Sequence, residues 1–496
     1  MIGSLAGLDP DGSAARDDVV DTGSVHAAGD AAPRRTVLRG LGFTSIGYPA
    51  NVAVMFFTQV VAARLLTRDD FGSYSLAVSI FSTVALIMQL GVPHSMLRRA
   101  SSALTDGRSG AVRNEVVSAF VLCTAAAVVV ALAFLSPAGK EALDALFSET
   151  GVALFAGLIG IRTGLRILEN LVPEALRAFR AFLAVSVYDG LLANFLLLAA
   201  LAVVLLADGS PDAADVMALS VATAAMALAP AAWAIQRRLH RLDHEPLRIH
   251  NPLEPSMWLV TVGRALLSQL DLLLVGVLAT SADVATYAVP FRLALFVGFP
   301  LIVVNQVVPP LIASWHAGGA VERLERTLRA TAGLAFVGSL LIAAVYVVGG
   351  KLIISELFGA KYEDGYTVLL ILTAGQVLQT YAGSCGFALM MTGHQRAYAW
   401  LLGVSTVLTA AFDIALFQLW GIEGIALATA ISLTVQNFVQ AYMLRRLTGF
   451  HSIASVRLAF TEGLGTVRKA TRRGRDAAGA AATAASGGPG ELDPEE

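Results

Sequence analysis

Two cysteines in 496 residues, Cys123 and Cys385, each inside an apolar run, leave neither a disulfide framework nor a thiolate metal site to build. Charge is scarce too: Asp, Glu, Lys and Arg make up 15% of the chain against 56% hydrophobic residues, and the mean hydropathy is +0.68. That balance excludes an ordinary soluble domain. There is no Gly-rich phosphate loop, no nucleophile elbow and no polar loop long enough for a catalytic domain, so no catalytic residue is assigned. His240, Asp243, His244 and His250 are metal-ligand types, but they share one short Arg-rich loop with no packed frame, and no metal or cofactor is expected. Residues 1–35 are acidic and without an apolar core, which predicts a disordered cytoplasmic tail rather than a cleavable signal. The Ala/Gly-rich residues 477–496 predict a second such tail.

What the chain has in quantity is long apolar runs. Crossing about 30 Å of hydrocarbon takes roughly 20 helical residues. Runs of that size recur twelve times, at 41–63, 73–95, 114–135, 150–171, 183–207, 214–236, 257–279, 284–315, 330–349, 363–392, 397–418 and 422–444. Basic side chains resist translocation, so their placement orients the spans. One set of alternate loops carries 19 Lys and Arg, among them Arg98, Arg99, Arg237, Arg238, Arg445 and Arg446. The opposite set carries 5: Arg64, Arg68, Lys140, Lys351 and Lys361. Both termini are therefore expected in the cytoplasm, with the protein in the cell (inner) membrane.

The chain also echoes itself. Asp70-Phe-Gly-Ser-Tyr74 opens the second run and Asp283-Val-Ala-Thr-Tyr287 opens the eighth, 213 residues later. Arg180-Ala-Phe182 and Arg396-Ala-Tyr398 repeat at an offset of 216, and Arg237-Arg-Leu239 returns as Arg445-Arg-Leu447. Six spans per repeat is even, so the halves share orientation. The predicted fold class is an all-α polytopic membrane protein of two six-helix bundles related by a pseudo-two-fold axis along the membrane normal, enclosing a central cavity. The expected division is a 1–35 tail, a 36–240 bundle, a 241–256 cytoplasmic linker, a 257–447 bundle, a 448–476 basic segment and a 477–496 tail.

Charges at membrane depth cost roughly 2.5–3.5 kcal/mol on insertion scales and are functional candidates by default. Arg264 and Asp271 are seven residues apart, on one helical face, and Arg292 lies about two turns into the eighth run. If these faces meet, the two Arg form a cationic site whose planar guanidinium groups offer paired donors to an anionic group. Alternatively Asp271 neutralises one of them as a structural pair. Asp271 is also the first choice for a carboxylate coupling transport to a proton or sodium ion, although desolvation and a neighbouring Arg act on its proton affinity in opposite senses. Asn51 aligns with Arg264 at the 213-residue offset and joins the candidate cavity set. Gln59, Gln269, Asn305, Gln306, Gln376, Gln379 and Asn437 are weaker candidates, better explained as interhelical hydrogen bonding worth around 0.6 kcal/mol. Arg162, Arg166 and Glu169 are read as lying near the inner end of the fourth run, within snorkelling reach of the interface, and Asp413 as meeting water near the outer end of the eleventh. Pro290 and Pro300, in the same run as Pro309 and Pro310, mark a bending gate or static kinks. Beyond the last run, Ile453, Val456, Phe460, Leu464 and Val467 recur at helical spacing beside Arg457, Arg468 and Lys469, which predicts a helix on the anionic inner leaflet or a solvated basic tail.

From Ala63-Arg-Leu-Leu-Thr-Arg-Asp-Asp-Phe-Gly-Ser-Tyr74 through Leu90-Gly-Val-Pro93 and Arg98, the chain resembles the first two spans of polysaccharide (oligosaccharidyl-lipid) flippases. Asp271-Leu-Leu-Leu-Val-Gly276, Ala282-Asp-Val-Ala-Thr-Tyr287, Val308-Pro-Pro310 and Leu357-Phe-Gly-Ala-Lys-Tyr362 continue the resemblance in order, with Ala285 departing from the Gly kept at Gly72. The resemblance implies the multidrug/oligosaccharidyl-lipid/polysaccharide exporter superfamily, whose members rock two six-helix bundles between inward-open and outward-open states. It implies as cargo an undecaprenyl-pyrophosphate-linked oligosaccharide, turned from the cytoplasmic to the outer leaflet in cell-surface polysaccharide biosynthesis, with no enzymatic step. The partners implied are that lipid-linked oligosaccharide, inner-membrane lipids, and a polysaccharide polymerase and glycosyltransferases of the same pathway, with no nucleic acid. The coupling source, a proton, sodium or the membrane potential, is left open. The alternative is a cation-coupled exporter of the multidrug and toxic compound extruder type, against which the Arg at membrane depth argue.

Overall fold

The structure, a computed structural model, describes residues 49–463 except 180, 243–245 and 247–254. The 1–35 and 477–496 tails, most of the 241–256 linker, and Asp243, His244 and His250 lie outside the described residues. Among those described, the regular structure is helical. The first half contains α1 (Pro49–Leu65), α2 (Arg68–Met88), α3 (Val92–Thr105), α4 (Ser109–Leu135), α5 (Pro137–Leu146), α6 (Ala156–Ala178), α7 (Phe182–Tyr188), α8 (Leu191–Leu206) and α9 (Ala213–Leu239). The second contains α10 (Pro255–Leu278), α11 (Ser281–Ala317), α12 (Val321–Phe358), α13 (Tyr366–Ala382), α14 (Cys385–Met391) and α15 (Gln395–Thr448).

Among the described residues eight helices are long and apolar enough to cross a membrane, and the bent pair Ala360–Ala382 with Cys385–Met391 makes a ninth. Three further crossings follow from local chemistry. The 54-residue α15 breaks at Trp420 and Gly421, and Gly424 lies against the carbonyl of Leu416, so the chain reverses there and α15 is two antiparallel spans. The described part of the first span, α1, is a shorter apolar helix. Helix α6 carries Arg162, Arg166 and Glu169 in its middle, which lowers its hydropathy without shortening it.

The internal repeat is written into the helix starts. Thr67 accepts from the Asp70 N–H at the N-terminus of α2, and Thr280 and Asp283 form a capping box at the N-terminus of α11, at the same 213-residue spacing. Each cap satisfies backbone donors that the first turn leaves orphaned.

Four apolar clusters show how the halves meet. Near the end where the described chain begins and the last span stops, each half has its own core: Met96, Ile167 and Leu171 in the first, Ile312, Leu389 and Leu444 in the second. A smaller group around Ala100 and Val112 extends the first. At the far end a single cluster runs across both halves, from Leu66, Phe71 and Tyr74 to Val284, Tyr287, Phe358 and Tyr362. The halves are thus fused at the far end. Nearer the chain ends they touch where the Trp258 indole N–H donates to the Ile87 carbonyl at 2.7 Å.

Three expectations change. Helix α6 runs to Ala178, seven residues past the expected boundary, so Arg162 and Glu169 sit at mid-depth: Arg162 is buried, paired to Glu169 at 3.1 Å and stacked over Phe81 at 4.8 Å, and does not snorkel. Asp413 is fully buried and does not meet water. After α15, residues 450–455 form an extended strap rather than the start of a surface helix. The Ala454 and Ser455 N–H groups donate to the Tyr381 and Arg329 carbonyls, and a short helical stretch to Gly463 follows. Leu464, Val467, Arg468 and Lys469 lie outside the described residues.

Candidate functional site

A cavity of about 600 Å³ opens inside the second half, between α10, α11, α13, α14 and both limbs of α15. Its wall is polar at membrane depth. On the second limb of α15, Thr429, Ser432, Gln436 and Gln440 follow one another at three- and four-residue steps, which puts them on one helical face. Gln376 and Gln379 do the same on α13, and Asn305 and Gln306 come from α11. Among the described lining residues Asp271 is the one acidic or basic side chain.

The amides divide by what they bind. The Asn305 Oδ1 accepts from the Ser384 hydroxyl at 2.6 Å, and Asn437 donates to the Leu433 carbonyl of its own helix. Gln269 accepts from Ser79 across the two halves at 2.9 Å. The Asn305 and Gln269 bonds join separate elements, as expected, whereas that of Asn437 stays within its own helix. Gln306, Gln376, Gln379 and Gln436 differ: they are part-exposed to the cavity, and their side chains bond no protein group among the described residues. Gln436, Gln440, Thr409 and Thr429 were missed by a search for charge. The signal that finds them is a polar stripe at helical spacing inside an apolar span.

Asp271 is buried and takes a hydrogen bond from the Tyr287 hydroxyl at 2.9 Å and one from the Leu272 N–H at 3.0 Å. It forms no ion pair with a described Arg. Asp413, on the first limb of α15, has neither carboxylate oxygen hydrogen-bonded, and its charge and that of Asp271 act on each other. Thr409 and Thr429, which line the cavity, also have unpartnered hydroxyls. Two acids with few donors around them are a costly arrangement in an apolar interior.

Arg292 is held apart from this cavity. It lies over the Phe71 ring at 5.5 Å and reaches the Ser75 hydroxyl and the Ala288 carbonyl, each at 3.4 Å, between the two halves. Arg264 is on α10, but its side chain lies outside those described. Asn51 bonds the Asp189 carbonyl and the Asn194 amide, fastening α1 to the turn between α7 and α8. Pro290 is seated against Gly365 and Pro300 against Gly338, and α11 passes both as one helix.

The far end is locked by polar contacts around the shared apolar cluster. Arg68 donates to Thr286, the Ala282 carbonyl and Asp364, and Ser281 donates to Asp69 at 2.8 Å. Arg64 reaches the Glu356 and Leu357 carbonyls, and Lys361 the Leu66 carbonyl. The Tyr362 hydroxyl donates to Ala63 at 3.1 Å.

Two helical lobes fused at one end, one of them enclosing a polar cavity at membrane depth, make a multi-pass membrane transporter fold with no catalytic constellation among the described residues. Solved structures agree on the fold. An inward-facing conformation of a multidrug resistance MATE family transporter of the MOP superfamily superposes with a TM-score of 0.64 at 14% identity, over 80% of this chain and 94% of that one. A MOP superfamily transporter from Pyrococcus furiosus superposes with a TM-score of 0.60 at 15% identity, over 84% and 96%. Residues 61–366 match the family described as polysaccharide biosynthesis protein, and the chain belongs to that family. It is also similar to the probable low-salt glycan biosynthesis flippase Agl15 of Haloferax volcanii, 23% identical over 189 residues, 37% of this chain. That match spans 39% of the relative's length.

Proposed function

We propose that the protein is a flippase that carries an undecaprenyl-pyrophosphate-linked oligosaccharide from the cytoplasmic to the outer leaflet of the cell membrane by alternating access. The observation that carries this reading is the far-end lock over a polar cavity at membrane depth, which is one closed gate of a two-gate path. Family membership and the likeness to a glycan flippase supply the cargo class. The bias of 19 basic residues to 5 supports cytoplasmic termini, which makes the locked end the outer one and this an inward-facing state.

In this reading Arg264 meets the pyrophosphate, and Arg292 becomes available to it when the lock parts. Asp271, with Asp413 beside it, couples the motion to a proton or sodium ion. Pro290 and Pro300, each against a glycine, let α11 flex as the lobes rock, and Asn51 keeps α1 moving with its own lobe. A polymerase and glycosyltransferases of the same pathway would supply and consume the cargo. A second reading, export of small cations, draws on Asp271 as the acid in the cavity.

A strain lacking the gene separates the two. Undecaprenyl-linked glycan accumulating on the inner leaflet, with surface glycan lost, supports the flippase. Unchanged surface glycan with altered drug sensitivity overturns it in favour of the exporter.

A further inference from the structure

Gln306, Gln376, Gln379 and Gln436 come from three different spans and converge on one cavity, their carboxamides open to it and bonded to no protein group among the described residues. Four such groups facing the same space suit an occupant rich in hydrogen-bonding groups, which can take the place of the water there. Among the described lining residues the one charged side chain is acidic, Asp271, which favours an uncharged occupant over an anionic one on this wall. The occupant presents both donors and acceptors, since each carboxamide offers both. It also has faces to lay against Phe291 and Phe387, which complete the wall. Hydroxyl-bearing sugar rings meet all three requirements. The volume of about 600 Å³ falls within the roughly 300–1,000 Å³ of ligand pockets.

We propose that this carboxamide wall is a sugar-reading subsite for the uncharged residues of the glycan, separate from whatever group holds the pyrophosphate. The inference rests on the flippase reading for the source of the sugar. It adds a specificity: neutral hexoses and N-acetylhexosamines are accepted here, and uronic acids are disfavoured.

The test uses the full-length protein in nanodiscs and three probes: farnesyl pyrophosphate, farnesyl pyrophosphate carrying a neutral N-acetylhexosamine disaccharide, and the same probe ending in a uronic acid. For the wild type, the neutral disaccharide is expected to tighten binding at least tenfold over farnesyl pyrophosphate, about 1.4 kcal/mol, with a smaller gain for the uronic probe. The Gln376→Leu/Gln436→Leu variant should lose the disaccharide increment and keep its farnesyl pyrophosphate affinity within twofold. Gln379→Leu alone should lose part of the increment, which guards against a folding defect in the double variant. The proposal is overturned if the double variant keeps the increment, or if sugar and pyrophosphate affinities fall together.

Flipping of the neutral probe in proteoliposomes keeps the two ideas apart. Binding with the sugar increment but no flipping overturns the flippase and leaves the subsite. Flipping without the increment does the reverse.

Discussion

Gly72 on α2 lies so close to Ser281 at the start of α11 that a β-carbon on it would come within 1.8 Å of the Ser281 carbonyl oxygen. The obstructing atom is backbone and cannot rotate away, so the two lobes approach at this point only because residue 72 has no side chain. Gly72→Ala should therefore wedge the far-end lock apart while leaving each lobe's own core intact, at a cost of about 1–3 kcal/mol to the locked state. Cysteines placed at Asp69 and Ser281, whose side chains are 2.8 Å apart, report this: they should cross-link readily in the parent and poorly with Gly72→Ala. Equal cross-linking would show that the lock absorbs the wedge.

Arg68 and Asp364 form the ion pair of the same lock at 3.1 Å, but they are unequal partners. The Asp364 side chain is 74% exposed and that of Arg68 32%. An exposed pair contributes about 0.2–1 kcal/mol or less. Arg68 additionally donates to Thr286 and the Ala282 carbonyl. Asp364→Ala should leave cross-linking and transport near the parent level, whereas Arg68→Ala should reduce both. Comparable losses in the two variants would mean that the ion pair, not the Thr286 and Ala282 contacts, holds the gate.

Much of this gate was legible in the sequence. The repeated Asp-x-x-x-Tyr openings located both α2 and α11, while their caps at Thr67 and Thr280 are seen only in the structure. Periodicity and basic loops were enough for helices and their order, because a spanning segment must satisfy its backbone internally and few structures do so. The site was less legible. A charge at membrane depth is conspicuous in one dimension, so Arg264, Asp271 and Arg292 were grouped, yet which lobe surface each faces depends on packing. Arg292 turned to Phe71 in the lock and Asp271 to Tyr287 in the cavity. Gln436 and Gln440 were hidden because a single amide is ordinary, and only a shared cavity makes several of them a set.

Asp271 and Asp413 allow stability and transport to be driven in opposite directions. Asp413 is buried and neither carboxylate oxygen has a partner in hydrogen-bond geometry, so an ionised Asp413 would be uncompensated in the folded protein. Asp413→Asn removes that charge at nearly constant volume. It should raise the thermal unfolding temperature of the purified protein while lowering flipping driven by an imposed sodium or proton gradient. Tyr287→Phe should have the opposite effect on stability, because it deletes the hydroxyl that bonds Asp271 and leaves the carboxylate only the Leu272 N–H. If Asp413→Asn neither stabilises nor uncouples, the acid has a partner in the working protein and no coupling role.

Arg162 and Glu169 supply the final test, of structure rather than transport. Both are at mid-depth on α6 and nearly excluded from solvent, with side-chain exposures of 10% and 7%, while Arg166, which shares the same Glu169 oxygen, is 36% exposed. Breaking a buried pair strands a charge and typically costs about 3–5 kcal/mol, whereas replacing both partners with apolar residues is often neutral. Glu169→Leu should therefore reduce the yield of folded protein sharply. Arg162→Leu/Glu169→Leu should restore it, and Arg166→Leu alone should matter little, since Arg166 reaches solvent. In the double variant the Phe81 ring, which lies beneath the Arg162 guanidinium, would pack against an aliphatic side chain instead, an apolar exchange that keeps the contact. Folding yield read by size-exclusion chromatography decides the matter: a double variant no better folded than Glu169→Leu would mean that the charges do more than neutralise each other.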